Sequence, residues 1–114
     1  MDICFEGIGQ MVATFATEEA LTSGMAVAMT GSGKVGLDGE DDLPCGVTVG
    51  TVRNGAVAVQ IGGVVKVGYS GTKPEVGWRE LACDGEGNVK AESGGAKCLV
   101  LAVDEGERSV VVKL

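Results

Sequence analysis

The sequence predicts an all-β domain, a compact small barrel or sandwich of short strands, and three observations carry that expectation. First, residues 44–67 read PCGVTVGTVRNGAVAVQIGGVVKV. Val47 and Val49 alternate, Arg53-Asn54-Gly55 breaks the run, Val57, Val59 and Ile61 alternate again, and Gly62-Gly63 breaks it before Val65, Val67 and Tyr69. Period-two β-branched residues cut by Asn-Gly and Gly-Gly predict two successive hairpins. Second, the pattern recurs. With Cys98 set on Cys45, 53 residues apart, Val100 falls on Val47, Val110 on Val57, Val112 on Val59 and Leu114 on Ile61. Two copies of one β unit are expected, over about residues 21–67 and 75–114, with a linker at 70–74. Third, glycine is 20 of 114 residues and aromatics are 4%, so the core must be built from Val, Ala, Leu, Ile and Met between tight turns. A hydrophobic content of 45% argues against disorder as the meaning of so much glycine.

Residues 1–16 read as an N-terminal arm and a first strand. Ile3, Phe5 and Ile8 are apolar among glycines and have no counterpart in the second copy; Met11, Ala13 and Phe15 then alternate. Thr17-Glu18-Glu19-Ala20-Leu21 reads as one short helical turn or a plain turn, Thr17 capping it. Met25, Val27 and Met29 form a strand, Thr30-Gly31-Ser32-Gly33 turns, and Lys34-Val35-Gly36-Leu37 returns. Asp38-Gly39-Glu40-Asp41-Asp42 is an acidic loop. In the second copy Glu80-Leu81-Ala82-Cys83 has helical propensity but stands where the first copy has a strand, and a strand is expected.

The net charge of −7 disfavours nucleic acid and anionic membranes as partners, because neutralising phosphate dominates such affinities. The chain starts without a basic, apolar leader, and no run reaches the ~20 apolar residues of a membrane span. Cys4, Cys45, Cys83 and Cys98 match no zinc spacing and are expected as reduced, buried thiols. With no histidine, Ser-His and Cys-His nucleophiles are excluded. Gly31-Ser32-Gly33-Lys34 resembles the end of a phosphate loop, but Ala28 and Val35 stand where that loop needs glycine and Ser or Thr. The acidic loop lacks EF-hand spacing. No enzyme, cofactor or metal is expected. Trp78, the one tryptophan, reads as a core or interface anchor.

Four segments carry a resemblance: Leu21-Thr22-Ser23-Gly24-Met25-Ala26-Val27, Gly33-Lys34-Val35, Cys45-Gly46-Val47-Thr48-Val49, and the run from Ala56 to Val67. Over about residues 17–114 the chain resembles the small capsid decoration proteins of tailed bacteriophages and prophages. The arm and the cysteine content depart from that pattern. The resemblance implies a compact β domain, made in the bacterial host, that binds the outside of an assembled head and reinforces it. It implies the major capsid protein as partner, a homo-oligomer (often a trimer), and no catalytic residues. Ile3, Phe5, Ile8, Met11 and Trp78 are the expected partner-binding residues. The rival expectation is an intracellular small β-barrel that binds or carries a ligand.

Overall fold

The computed structural model describes residues 10–37 and 42–114. Among them, ten strands follow one another: β1 Met11–Ala16, β2 Ala26–Gly31, β3 Lys34–Gly36, β4 Gly46–Thr48, β5 Ala56–Gly62, β6 Val64–Gly68, β7 Gly77–Cys83, β8 Val89–Ala91, β9 Ala96–Asp104 and β10 Ser109–Lys113. The fold is all-β, and no described residue is helical or lies in a helix able to cross a membrane. Residues 17–21 make a plain turn. The Thr17 hydroxyl accepts the Glu19 N–H at 3.2 Å, and the Glu19 carboxylate accepts the Leu37 N–H at 3.0 and 3.2 Å. The acid holds the end of β3 instead of capping a helix.

The strands form two five-stranded sheets. Read as β1-β5-β4-β2-β3 and β6-β10-β9-β7-β8, their orders match strand for strand. The first sheet closes on itself through one parallel pair, Ala16 with Lys34. The second stays open apart from one parallel bridge, Tyr69 to Val89. The two pack as a sandwich, one side of it curled. Val57 and Val110 hold the second positions of β5 and β10. The Asn54-Gly55 turn forms as read, with φ of 52° and 74° at those residues, the double left-handed conformation of a type I′ hairpin. The Glu80–Cys83 stretch is a strand, extended back to Gly77. Gly31-Ser32-Gly33-Lys34 makes the tight turn between β2 and β3.

The hairpin expected at Gly62-Gly63 does not form: β6 leaves β5 and pairs with β10, from Val64 opposite Lys113 to Gly68 opposite Ser109. The cause is local and long-range at once. Gly63 takes a φ of 86°, and the buried Gln60 side chain donates to the carbonyls of Gly62 and Val64, both at 3.0 Å. Those bonds replace the ladder a hairpin would supply. Val65 and Val67 then bury against Val110 and Val112. The strand expected through Val49 stops at Thr48, and Val49 is exposed.

Two cores result. Val27, Val35, Val57 and Val59 fill the inside of the first sheet with Leu21. Val65, Val67, Tyr69, Leu81, Val89, Cys98, Val100, Val110 and Val112 form the second core. Ala26 and Val47, paired across β2 and β4, point the other way and join that second core. The first sheet therefore covers the inner face of the second. Cys83 and Cys98 are buried and Cys45 half-buried, all as free thiols; Cys4 lies outside the described residues. Burial pushes all three thiols up, Cys83 to about 11. Asp38, Glu40 and Asp41 of the acidic loop lie outside the described residues, while the Asp42 carbonyl accepts the Cys83 N–H at 2.9 Å.

Asp84 ties the connector after β6 to the β7–β8 turn. Its carboxylate accepts from Ser70 Oγ (2.8 Å), the Glu86 N–H (2.7 Å), and the Asn88 N–H and Nδ2 (3.1 and 3.2 Å). Burial acts to raise this carboxyl, but the donors outweigh it and the net shift is downward. A folded pKa below the unfolded value stabilises at pH above the unfolded value, about 3.9, and that stabilisation is lost as pH falls through the lowered folded pKa. The urea midpoint of Asp84→Asn should therefore lie below that of the parent at neutral pH, the gap narrowing in acid. A gap independent of pH would contradict this role.

Candidate interaction surface

Strand register decides which side chains share a face. Core residues alternate inward along β6, β10, β9 and β7, so the residues between them form the outer face of the second sheet. One row crosses all four strands: Val64 opposite Lys113, Lys113 opposite Leu99, and Leu99 opposite Trp78. The row beside it is inward and buried: Val65, Val112 and Val100, ending on Gly77. Trp78 is 63% exposed and Val76, two residues before it, 60%. Trp78 is thus a surface side chain and not a core anchor. It borders a groove of about 420 Å³ lined by Trp78, Arg79, Glu80 and Lys97. Arg79 is held back by Glu75 at 3.2 Å and by the Val76 carbonyl at 3.1 Å. Glu80 accepts the Gly94 N–H at 2.8 Å. Lys97 and Lys113 are exposed and make no ion pair with another described residue.

Met11 lies on the first sheet, 60% exposed, opposite Gly62 at the end of β5. Beside it, Gln10 Nε2 donates to Gln60 Oε1 at 3.0 Å, and Gln60 Nε2 donates in turn to the Val64 carbonyl. Met11 and Trp78 thus stand on different sheets, Met11 opposite the end of β5 and Trp78 at the β7 end of the Val64–Lys113–Leu99 row. Ile3, Phe5 and Ile8 lie outside the described residues. The sequence reading missed Val64, Leu99 and Val76 as surface apolar residues. Alternation signalled that Val64 faces away from Val65, but it could not align Val64 with Leu99 and Trp78, because that needs the pairing of four strands. Among the described residues, no group of three His, Cys, Asp or Glu is placed to hold a metal.

No family model matches the sequence, and no curated protein matches it. Among solved structures, the chain is similar to the N base of the head fiber gp8.5 of bacteriophage phi29, with a TM-score of 0.64 and 13% identity. The match covers 92% of this chain and 93% of that one, so both sheets are included. At this identity the likeness is one of fold, and the fold is one that a phage head protein uses.

Proposed function

We propose that this chain is a structural protein of a phage head, which docks on the outside of the assembled shell and reinforces it. The observation that carries this reading is the likeness, over nearly its whole length, to the base of a head fiber. The major capsid protein is the partner, and several copies, a trimer in the simplest case, sit together on the shell. The matching strand orders support a tandem of two β units as the way so small a chain builds a two-sheet body. Met11 and Trp78 belong to the contact, with Ile3, Phe5 and Ile8 of the arm. A large exposed indole that becomes desolvated at an interface centre commonly contributes about 2 kcal/mol or more.

Heads purified from the encoding phage should carry the protein, and heads depleted of it should release their genome at lower temperature. Absence from purified heads would remove the proposal. Presence without any change in heat resistance would leave a fiber-base role and remove reinforcement. On heads that bind the protein, Trp78→Ala should weaken binding about thirtyfold, the equivalent of about 2 kcal/mol. Equal affinity of variant and parent would take Trp78 out of the interface.

A further inference from the structure

We propose that the stretch from Val76 to Arg79, at the start of β7, is a sheet edge that takes up an extended, acidic segment of another protein as an added strand, and that Arg79 covers this edge until the segment binds. This deepens the reading of Trp78 as a contact and rests on it, but its test uses no phage head, so the two can fail separately. The backbone supplies the first observation. The Glu80 carbonyl accepts the Glu92 N–H at 3.2 Å, on the side where β8 pairs with β7. Backbone groups two residues apart on a strand point the same way, so the N–H and carbonyl of Trp78 turn to that side too. β8 does not reach them, because its pairing ends with Ala91 opposite Leu81.

Arg79 stands at this edge instead. Its Nη1 donates to the Trp78 carbonyl at 3.1 Å, and its Nη2 donates to the Val76 carbonyl at 3.1 Å and pairs with Glu75 at 3.2 Å. The guanidinium thus occupies the place where the amides of a neighbouring strand would donate. A charged side chain over an edge keeps strands from adding indiscriminately. The cover is also easily lifted. The side chains of Arg79 and Glu75 are 42% and 81% exposed, and an ion pair so open to water contributes little.

The surroundings give the chemistry of the guest. Val76 and Trp78 are both exposed, and the groove beside Trp78 and Lys97 is joined by a second of about 340 Å³, which shares Arg79 and Glu80 with it and runs to Pro74 and Ala91. Side chains of a strand alternate between its two faces, so a guest can set apolar side chains against Val76 and Trp78 and turn carboxylates to Arg79. Arg79, once released from Glu75, and Lys97, in no ion pair with another described residue, both favour an acidic guest. The whole chain carries a net charge of −7 and repels its own copies, which selects a segment of a different protein over a second molecule of this one.

The probe is a blocked octapeptide alternating valine and glutamate, titrated against the full chain and followed by the fluorescence of Trp78, the one tryptophan. Binding should saturate, and exchange of the Trp78 amide hydrogen should slow in the complex. Methylating every second backbone nitrogen of the peptide should abolish binding in one phase and spare it in the other, because an added strand bonds through one edge only. A peptide with glutamine in place of glutamate should bind about fivefold more weakly, the scale of two exposed ion pairs. Arg79→Ala, checked for β structure by circular dichroism, should lose most of that preference and still bind the glutamine peptide at least as well as the parent does. The methylation series on the parent decides the matter even if Arg79→Ala does not fold. No saturable binding of either peptide would overturn the proposal. Binding indifferent to both phases of methylation would also overturn it, because the peptide would then adhere by side chains alone. So would slow exchange of the Trp78 amide in the free protein that quickens on dilution, since the edge would then be filled by a second copy.

Discussion

Gly46→Ala is expected to destabilise the protein by about 3 kcal/mol or more, the upper part of the range for overpacking a closed site. Gly46 lies on β4 between β2 and β5, and a methyl group there would meet the Gln60 carbonyl oxygen and, at 2.7 Å, Val59 Cγ1. Both neighbours belong to β5, whose backbone is held by pairing with β1 as well as β4, so neither yields cheaply. At about 4 °C per kcal/mol, the melting temperature should fall by roughly 12 °C. Gly95→Ala should behave alike, because its methyl group would lie 2.6 Å from the Leu81 carbonyl atoms. Gly50→Ala is the control. Nothing lies within 4 Å of a Cβ there, and its φ is ordinary, so the change should be close to neutral. A Gly46→Ala melt matching that of Gly50→Ala would mean that β4 and β5 are not packed this closely.

The second large effect is expected at Gln60. This buried side chain donates to two carbonyls on either side of the passage from β5 to β6 and accepts from Gln10. Gln60→Ala leaves both carbonyls without those donors, at about 1–3 kcal/mol for each that stays buried. A loss of about 3 kcal/mol in urea unfolding is expected. Gln60→Glu separates hydrogen bonding from volume. Its carboxylate cannot donate and faces two carbonyl oxygens, so it should be at least as damaging at neutral pH. The carboxyl pKa is then raised in the folded state, and stability should return as pH falls and a proton restores one donor. If Gln60→Glu is as stable as the parent at pH 7, the bridge is not what directs β6 to the second sheet.

These two residues also mark where reading the chain locally stops. Gly46 stood within a Gly-Val strand motif with no sign that the glycine was required. The requirement comes from the approach of β5, a strand ten residues further on in sequence. Gln60 was one polar position in an alternating strand, and its task became visible only once Gly62, Val64 and Gln10 surrounded it.

The β class, the positions of β1, β2, β3, β5 and β10, the Asn54-Gly55 hairpin and the inward facing of Val57, Val59, Val110 and Val112 follow from local order in the chain. Alternation with period two and left-handed turn residues act within a few bonds, and no distant partner is needed to express them. Comparison of the two halves even placed a strand at Glu80–Cys83 against its own propensity. Pairing is a different matter. Val64–Gly68 could have folded back on β5 across Gly62-Gly63, and the alternation would have been satisfied equally well. Burial of Val65 and Val67 against Val110 and Val112, together with the two Gln60 bonds, selects β10, more than forty positions away. The same long-range pairing brings Val64, Lys113, Leu99 and Trp78 into one row. Each of those side chains has its inward or outward sense from its own strand, but a row exists only when four strands are in register, and register is set by the packing of the whole core.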